Sequence, residues 1–323
     1  MKSKFEFLMP SFIIIGAVIG AGFISGHELL RFFGGSFLLP SVVLSFFLFY
    51  FICILFLTLG KKYKNFQSLC VVFKRFSKLV FFTMLVFNLI LMSAMLSGVE
   101  SLFGIIIGNV RLPVFSVISL MLAALICGKG INGVAKINLF LIPCILIFII
   151  VYLTLNFKFD FVLTSKNAVN SVAVVYFYAA MNMFLAAPVL LECGSRFSRK
   201  ACKQAALFSA FVLAVCIFLI VTCLLNSGAI NPNLPLLSIF ESNPLTYYIF
   251  CILIYFAIFT SIITSYYPVF SYTENKYARI FTAVCALLVS QLGLSNIVGG
   301  IYPVIGIVSG VLIVFIFFRE LIL

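Results

Sequence analysis

The stretch IGAVIGAGFISGHE, residues 15–28, decides the fold of this chain. It lies in an apolar segment of about 20 residues, the length that crosses a bilayer. Yet Gly16, Gly20, Gly22 and Gly26 interrupt it, and each glycine weakens a helix by roughly 1 kcal/mol relative to alanine. Backbone groups freed inside a membrane persist only where they line a cavity. The stretch therefore predicts a broken helix that binds an ion or polar ligand, with close helix packing through small residues as the alternative.

The composition of the whole chain is that of an integral membrane protein. Hydrophobic residues make up 64% and charged residues 9%, against about 25% charged residues in soluble domains. The mean hydropathy is +1.29. The long apolar runs are apolar on all sides, whereas barrel strands alternate. We therefore predict an all-α fold with about ten transmembrane helices.

The predicted spans follow each other closely and leave no room for a soluble domain. The first, beginning near residue 8, is too long for the apolar part of a signal peptide and is expected to stay uncleaved. The ten spans cover about 8–30, 37–59, 79–104, 110–127, 137–157, 168–191, 204–226, 245–270, 278–295 and 299–318. The segment 226–244 carries three prolines and is expected to be an ordered external loop.

The basic residues test this topology. With the N-terminus inside, 17 of the 21 Lys and Arg residues lie on the inner side, and only Arg31, Arg111, Lys158 and Lys166 lie outside. This alternation follows the positive-inside rule. Both termini are therefore predicted to be cytoplasmic, and the net charge of +13 is read as a topology signal rather than as a nucleic-acid surface.

Several other functions are disfavoured by the residues. The ten cysteines contain no C-x-x-C pair, and His27 is the only histidine, so neither a disulfide framework nor a zinc site is predicted. No catalytic metal motif is present and only eight acidic residues occur. An enzyme and a resident cofactor are therefore not expected.

The sixth predicted span has a second interruption. It combines the small residues around Ala180, Met181 and Asn182 with Pro188, which removes a backbone hydrogen bond. Interruptions in the first and sixth of ten spans predict two inverted five-helix halves, 1–157 and 168–318, in one domain, 1–323. Paired broken helices in inverted repeats indicate a transporter site at the midplane. An ordinary kink is the alternative for Pro188.

We expect the solute to contact both interruptions. The predicted solute-binding residues are Gly20, Ala21 and Gly22 in the first span, Ala180, Met181 and Asn182 in the sixth, and Asn88 in the third. Interhelical hydrogen bonding is the alternative role of the two amides.

Residues 16–33 also resemble the first helix of the YkvI-like bacterial membrane proteins, which usually read G-x-G-x-A-[ST]-G-x-E-x-x-x-F-F here. That family is grouped with the amino acid–polyamine–organocation transporters. The resemblance implies a LeuT-type fold of five plus five inverted helices, with spans 1 and 6 broken, in the bacterial cytoplasmic membrane. His27 stands where the family usually has another residue, so the resemblance assigns it no role.

The resemblance also implies a sodium site. Sodium-coupled transporters of this type carry A-x-x-[ST]-[ST] in helix 8, matched here by Ala257, Thr260 and Ser261. Their first-helix pattern G-x-x-[VI]-G-x-G is matched by Gly16, Ile19, Gly20 and Gly22. The implied ligands are the carbonyls of Gly16, Ile19 and Ala257 with the hydroxyls of Thr260 and Ser261. The alternative is that the hydroxyls bond back to their own helix.

Glu28 follows the break, and a carboxylate at membrane depth indicates function. We expect it to gate the outer side or, with His27, to take up a proton; the alternative is an interfacial pair with Arg31.

The sequence thus predicts a secondary active transporter of a small polar solute, an amino acid or related compound, coupled to sodium by alternating access. A proton-coupled transporter and a non-transporting structural or regulatory membrane protein are the alternatives. The partners are the solute and lipid, and the oligomeric state is left open.

Overall fold

The computed structural model describes residues 6–34, 37–108, 112–156, 168–227, 234–240 and 243–321. Throughout these residues the chain is helical and contains no strand. The helices are α1 (Leu8–Val18), α2 (Ala21–Ile24), α3 (His27–Phe33), α4 (Leu38–Tyr63), α5 (Phe66–Leu69), α6 (Ser77–Ile107), α7 (Val114–Cys127), α8 (Gly130–Asn156), α9 (Ala168–Arg196), α10 (Arg199–Ser227), α11 (Pro244–Tyr272), α12 (Lys276–Ser290), α13 (Leu294–Asn296) and α14 (Tyr302–Leu321).

Seven helical segments among the described residues are long and apolar enough to cross a membrane. Helices α1 and α7 are shorter apolar helices, and α12 has 15 residues. The all-α membrane fold is therefore confirmed, while the count of about ten crossings stays a prediction. The described part of the external loop forms a short 3-10 helix, Pro235–Phe240.

The break in the first span lies at Ile19 and Gly20, between α1 and α2. Gly20 is extended, with φ −112° and ψ −167°. In a regular helix its N–H would bond to the Gly16 carbonyl, but it donates to the Val18 carbonyl at 3.0 Å instead. A second interruption follows at Gly26, whose φ of +83° is a left-handed conformation that favours glycine. The broken first helix is thus observed, and it leaves the Gly16 carbonyl without its helical donor.

The predicted break in the sixth span is wrong, because α9 runs without interruption from Ala168 to Arg196. Pro188 lies inside this helix, just as Pro143 lies inside α8 and Pro268 inside α11. A single proline removes one N–H donor, and neighbouring helices and local adjustments compensate for that loss in a membrane. The alanines around it favour the helix. The division into two inverted halves stays a prediction, and its boundary at 158–167 lies outside the described residues.

The long helices pack into two groups around the break. Helix α4 packs against α9 and α10, while α6 packs against α11 and α12. Glycines allow the closest approach in the first group: a Cβ on Gly60 would lie 2.2 Å from the Leu191 carbonyl oxygen, and one on Gly194 would lie 2.2 Å from that of Leu57. Helix α1 contacts α9 and α10 of the first group and α11 of the second, and it also packs against α8. The break therefore lies between the two groups.

Candidate functional site

Ser261 of α11 reaches across to the break in the first span. Its Oγ lies 3.2 Å from the Ile19 carbonyl oxygen and 3.4 Å from that of Gly16. Ser261 is 1% exposed. Because the hydroxyl donates to the other span rather than to its own helix, the back-bonding alternative does not hold for it. Three of the five predicted ligand groups thus converge.

The remaining two predicted ligand groups contact each other. The Thr260 hydroxyl donates to the Ala257 carbonyl at 3.0 Å, within α11. Both residues are fully buried. In this structure the Thr260 hydroxyl therefore bonds back to its own helix. The carbonyl that accepts this hydrogen bond, that of Ala257, is itself one of the predicted sodium ligands.

Gly20 lies where the first span comes nearest to α6 and α11. A Cβ at this position would lie 2.9 Å from both the Met95 Sδ and the Ser261 Oγ. The neighbouring Ala21 N–H, the first after the break, donates to Met95 Sδ at 3.3 Å. A thioether is a weak hydrogen-bond acceptor. A ligand with a stronger acceptor would therefore displace Met95 Sδ from the Ala21 N–H. Ala21 and Gly22 are buried beside it.

The predicted solute residues of the sixth span are buried on a regular helix. Ala180 and Met181 are at most 1% exposed, and Asn182 is 7% exposed. The Asn182 amide donates to the Tyr178 carbonyl of its own helix at 2.9 Å. These residues thus offer side chains rather than freed backbone groups to a ligand.

Asn88 of α6 is arranged in the same way. Its amide nitrogen donates to the Met84 carbonyl at 3.0 Å, while its Oδ1 is buried without a hydrogen-bond partner. Within the described part of the chain this oxygen makes no interhelical hydrogen bond and is therefore a buried acceptor on α6.

Glu28 is buried on α3, with 3% of its surface exposed. Its carboxyl folds back over Gly22, where an added Cβ would lie 2.2 Å from Oε1. It makes no ion pair with the residues that the structure describes. The predicted alternative, a pair with Arg31, is not found: Arg31 Nη2 donates to the Gly299 carbonyl at 3.3 Å.

His27 begins α3 and is half-buried, and its backbone N–H donates to Ser25 Oγ at 3.4 Å.

Three residues near these groups escaped the sequence reasoning. Met95 covers the first N–H after the break, and Asn138 of α8 lies against Gly16. Tyr302 is fully buried, and its hydroxyl has no hydrogen-bond partner among the described residues. The sequence could have indicated Asn138, since a polar side chain in a transmembrane helix indicates function. The others look like ordinary apolar or aromatic residues of a membrane helix.

The comparisons with known proteins bear on the relatives and the fold of this chain. No protein-family model matches the sequence. The chain is 26% identical to the Uncharacterized membrane protein YkvI of Bacillus subtilis (strain 168), over 95% of this chain and 94% of that protein. This homologue is the one that the first-span motif resembles, so the recognised resemblance is confirmed.

Several solved structures superpose on almost the whole of this chain. MhsT in complex with L-phenylalanine superposes with a TM-score of 0.68 at 18% identity, covering 99% of this chain and 87% of MhsT. Mhp1, a nucleobase-cation-symport-1 family transporter, gives 0.54 at 13% identity, over 97% and 75%. A mutant of the Eremococcus coleocola manganese transporter gives 0.57 at 14% identity, over 99% and 78%. The chain is therefore a multi-pass membrane protein with the LeuT-type fold of these secondary transporters.

Proposed function

We propose that this protein is a sodium-coupled secondary transporter of a small polar or zwitterionic solute, an amino acid or related compound. The observation that carries the proposal is the convergence of the Gly16 and Ile19 carbonyls on the Ser261 hydroxyl. Neutral oxygen ligands suit a hard monovalent cation. A cation at this point would take over the carbonyl that the break has deprived of its helical donor.

The position of this oxygen cluster suits alternating access. Gly16 and Ile19 belong to the first span, which contacts both packing groups, whereas Ser261 belongs to α11 of the second group. We expect α1, α4, α9 and α10 to rock against α6, α7, α11 and α12. A cation bound between the two groups would favour the arrangement that brings its ligands together, and this differential affinity is what couples an ion to a conformational change.

The solute would bind next to the cation. The Ala21 N–H points at a thioether, and a carboxylate is a far stronger acceptor for a backbone N–H. Asn182, Asn88, Gly20 and Gly22 would complete the pocket with Ala180 and Met181. The likeness to MhsT, which was solved with L-phenylalanine bound, supports an amino acid as the solute class.

Proton coupling is the second candidate, and the buried Glu28 favours it. An ionised carboxylate at this burial without a charged partner is costly, so Glu28 would carry a proton when the outer side is closed. We further expect both termini to be cytoplasmic and the protein to reside in the bacterial cytoplasmic membrane.

Uptake into proteoliposomes tests the proposal. A panel of amino acids is offered under an inward sodium gradient or an inward proton gradient, and we expect sodium-driven accumulation of a subset of the panel. Accumulation driven by protons alone would favour the Glu28 alternative. Failure of both gradients for every solute would contradict the transport proposal.

Two serines on the same helix provide a matched pair for the ion. Ser261→Ala removes the bridging hydroxyl, and we expect the half-saturating sodium concentration to rise about 10- to 100-fold, since a hydrogen bond or polar contact to a charge contributes roughly 1.5–3 kcal/mol. Ser265→Ala is the control, because the Ser265 hydroxyl donates only to the Ser261 and Ile262 carbonyls of α11. Equal sodium dependence in the two variants would refute the assignment of Ser261.

A further inference from the structure

Asn138 has a fully buried oxygen with no partner. The residue lies on α8 and is 0% exposed. Its amide nitrogen donates to the Val134 carbonyl of the same helix at 2.9 Å, but its Oδ1 has no hydrogen-bond partner among the residues that the structure describes. Buried polar atoms in native proteins are almost always satisfied, and an exception calls for an explanation such as an ion or a water molecule.

This unpartnered oxygen lies against the residue that starts the break. A Cβ on Gly16 would lie 1.9 Å from Asn138 Oδ1 and 2.9 Å from its Cγ. Only glycine therefore allows α8 to approach α1 so closely here. The carbonyl of the same Gly16 is the one that Ser261 contacts from α11. Asn138 of α8 and Ser261 of α11 thus each place an oxygen against this one glycine.

We propose that Asn138 Oδ1 is a further ligand of the cation bound between the first span and α11. The inference rests on the proposed sodium coupling and adds a ligand that the first-span and α11 patterns do not contain. An amide oxygen is a neutral hard donor of the kind that such cations take. Entry of the cation would satisfy the unpartnered oxygen and would tie α8, as well as α11, to the first span.

The competing explanation is structural. An Oδ1 packed against a glycine Cα also makes a weak Cα–H···O contact, and such a contact would need no ion. The two explanations differ in whether removal of this oxygen changes the affinity for sodium.

Sodium-dependent thermal stabilisation of the purified protein separates them without requiring the solute. The apparent Tm is measured while NaCl replaces choline chloride at constant ionic strength, with KCl as a second comparison. We expect saturable, sodium-specific stabilisation of the wild type. Asn138→Leu, which keeps the size but removes the oxygen, should raise the half-saturating sodium concentration about tenfold or more.

Two further variants make the outcome independent of a folding defect. Asn138→Asp keeps the oxygen and adds a negative charge, and we expect it to bind sodium about tenfold more tightly than the wild type. Ser309→Ala removes another fully buried oxygen without a partner, on α14, and should leave the sodium response unchanged. If Asn138→Leu does not fold, an unchanged affinity in Asn138→Asp overturns the inference.

The proposed function and this inference fail in different ways. Wild-type protein without sodium-specific stabilisation would overturn sodium coupling and the Asn138 ligand together. If Ser261→Ala weakens sodium binding while Asn138→Leu and Asn138→Asp bind as the wild type does, only the Asn138 inference is overturned, and the Cα–H contact is its explanation.

Discussion

Substitution of Gly22 by alanine tests the packing of the broken span directly. An added Cβ would lie 2.2 Å from Glu28 Oε1, 2.4 Å from Cγ and 2.5 Å from Cδ. Carbon atoms in contact lie about 3.5–4.0 Å apart, so the Glu28 side chain must leave its buried position by about 1 Å or more. Overpacking of this kind costs about 1–3 kcal/mol. We expect Gly22→Ala to be less stable than the wild type by that amount.

The double variant identifies the cause of this loss. In the double variant Gly22→Ala with Glu28→Ala, the Glu28 Oε1, Cγ and Cδ atoms that would clash with the new methyl group are absent. The coupling free energy between the two sites should therefore recover most of the loss, about 1–3 kcal/mol. Unfolding of the detergent-solubilised protein, titrated with sodium dodecyl sulfate, provides the four free energies of the cycle.

A matched glycine provides the control. Apart from its own local backbone and chain neighbours, no atom of the described residues lies within 4 Å of a Cβ added at Gly300, so Gly300→Ala should not lower the stability. If Gly22→Ala proves as stable as Gly300→Ala, or if the two changes at Gly22 and Glu28 add within about 0.5 kcal/mol, then Glu28 does not fold over Gly22 and the buried position of its carboxyl is refuted.

Two further predictions concern α9 and the topology. Because α9 is continuous through Pro188, Pro188→Ala should leave the apparent Tm unchanged or higher and should keep the sodium response; a loss of sodium-dependent stabilisation would show that the proline has a role in the site. If both termini are cytoplasmic, a C-terminal green fluorescent protein fusion should fluoresce in cells, and alkaline phosphatase inserted between residues 158 and 167 should be active. The reverse pattern would refute the predicted orientation.

The sequence predicted the helical membrane fold and the position of the first break because both depend on local composition. Apolar runs must be helical in lipid, and glycines at 16, 20 and 22 remove the side chains that would stabilise a helix there. The same reasoning failed for the sixth span. A proline mid-helix resembles a break in sequence, but packing decides whether the helix continues, and the helices around α9 support it.

Part of the candidate site could also be predicted from the sequence. The spacing of Ala257, Thr260 and Ser261 places the two hydroxyls on nearby positions of one helix, and the structure brings Ser261 to the predicted carbonyls. The sequence did not reveal that Thr260 turns to its own helix, nor that Met95 covers the Ala21 N–H. Both depend on the rotamers and neighbours that tertiary packing selects.

By itself, the sequence determined that the chain folds into apolar membrane helices and where the first of them unwinds, since these follow from transfer of residues into hydrocarbon and from helix propensity along the chain. Only the tertiary structure decided which groups meet at the break. Asn138 is more than a hundred residues from Gly16 along the chain, and Ser261 lies farther still. Contacts between such distant residues depend on how helices pack, and no local property of the chain specifies them.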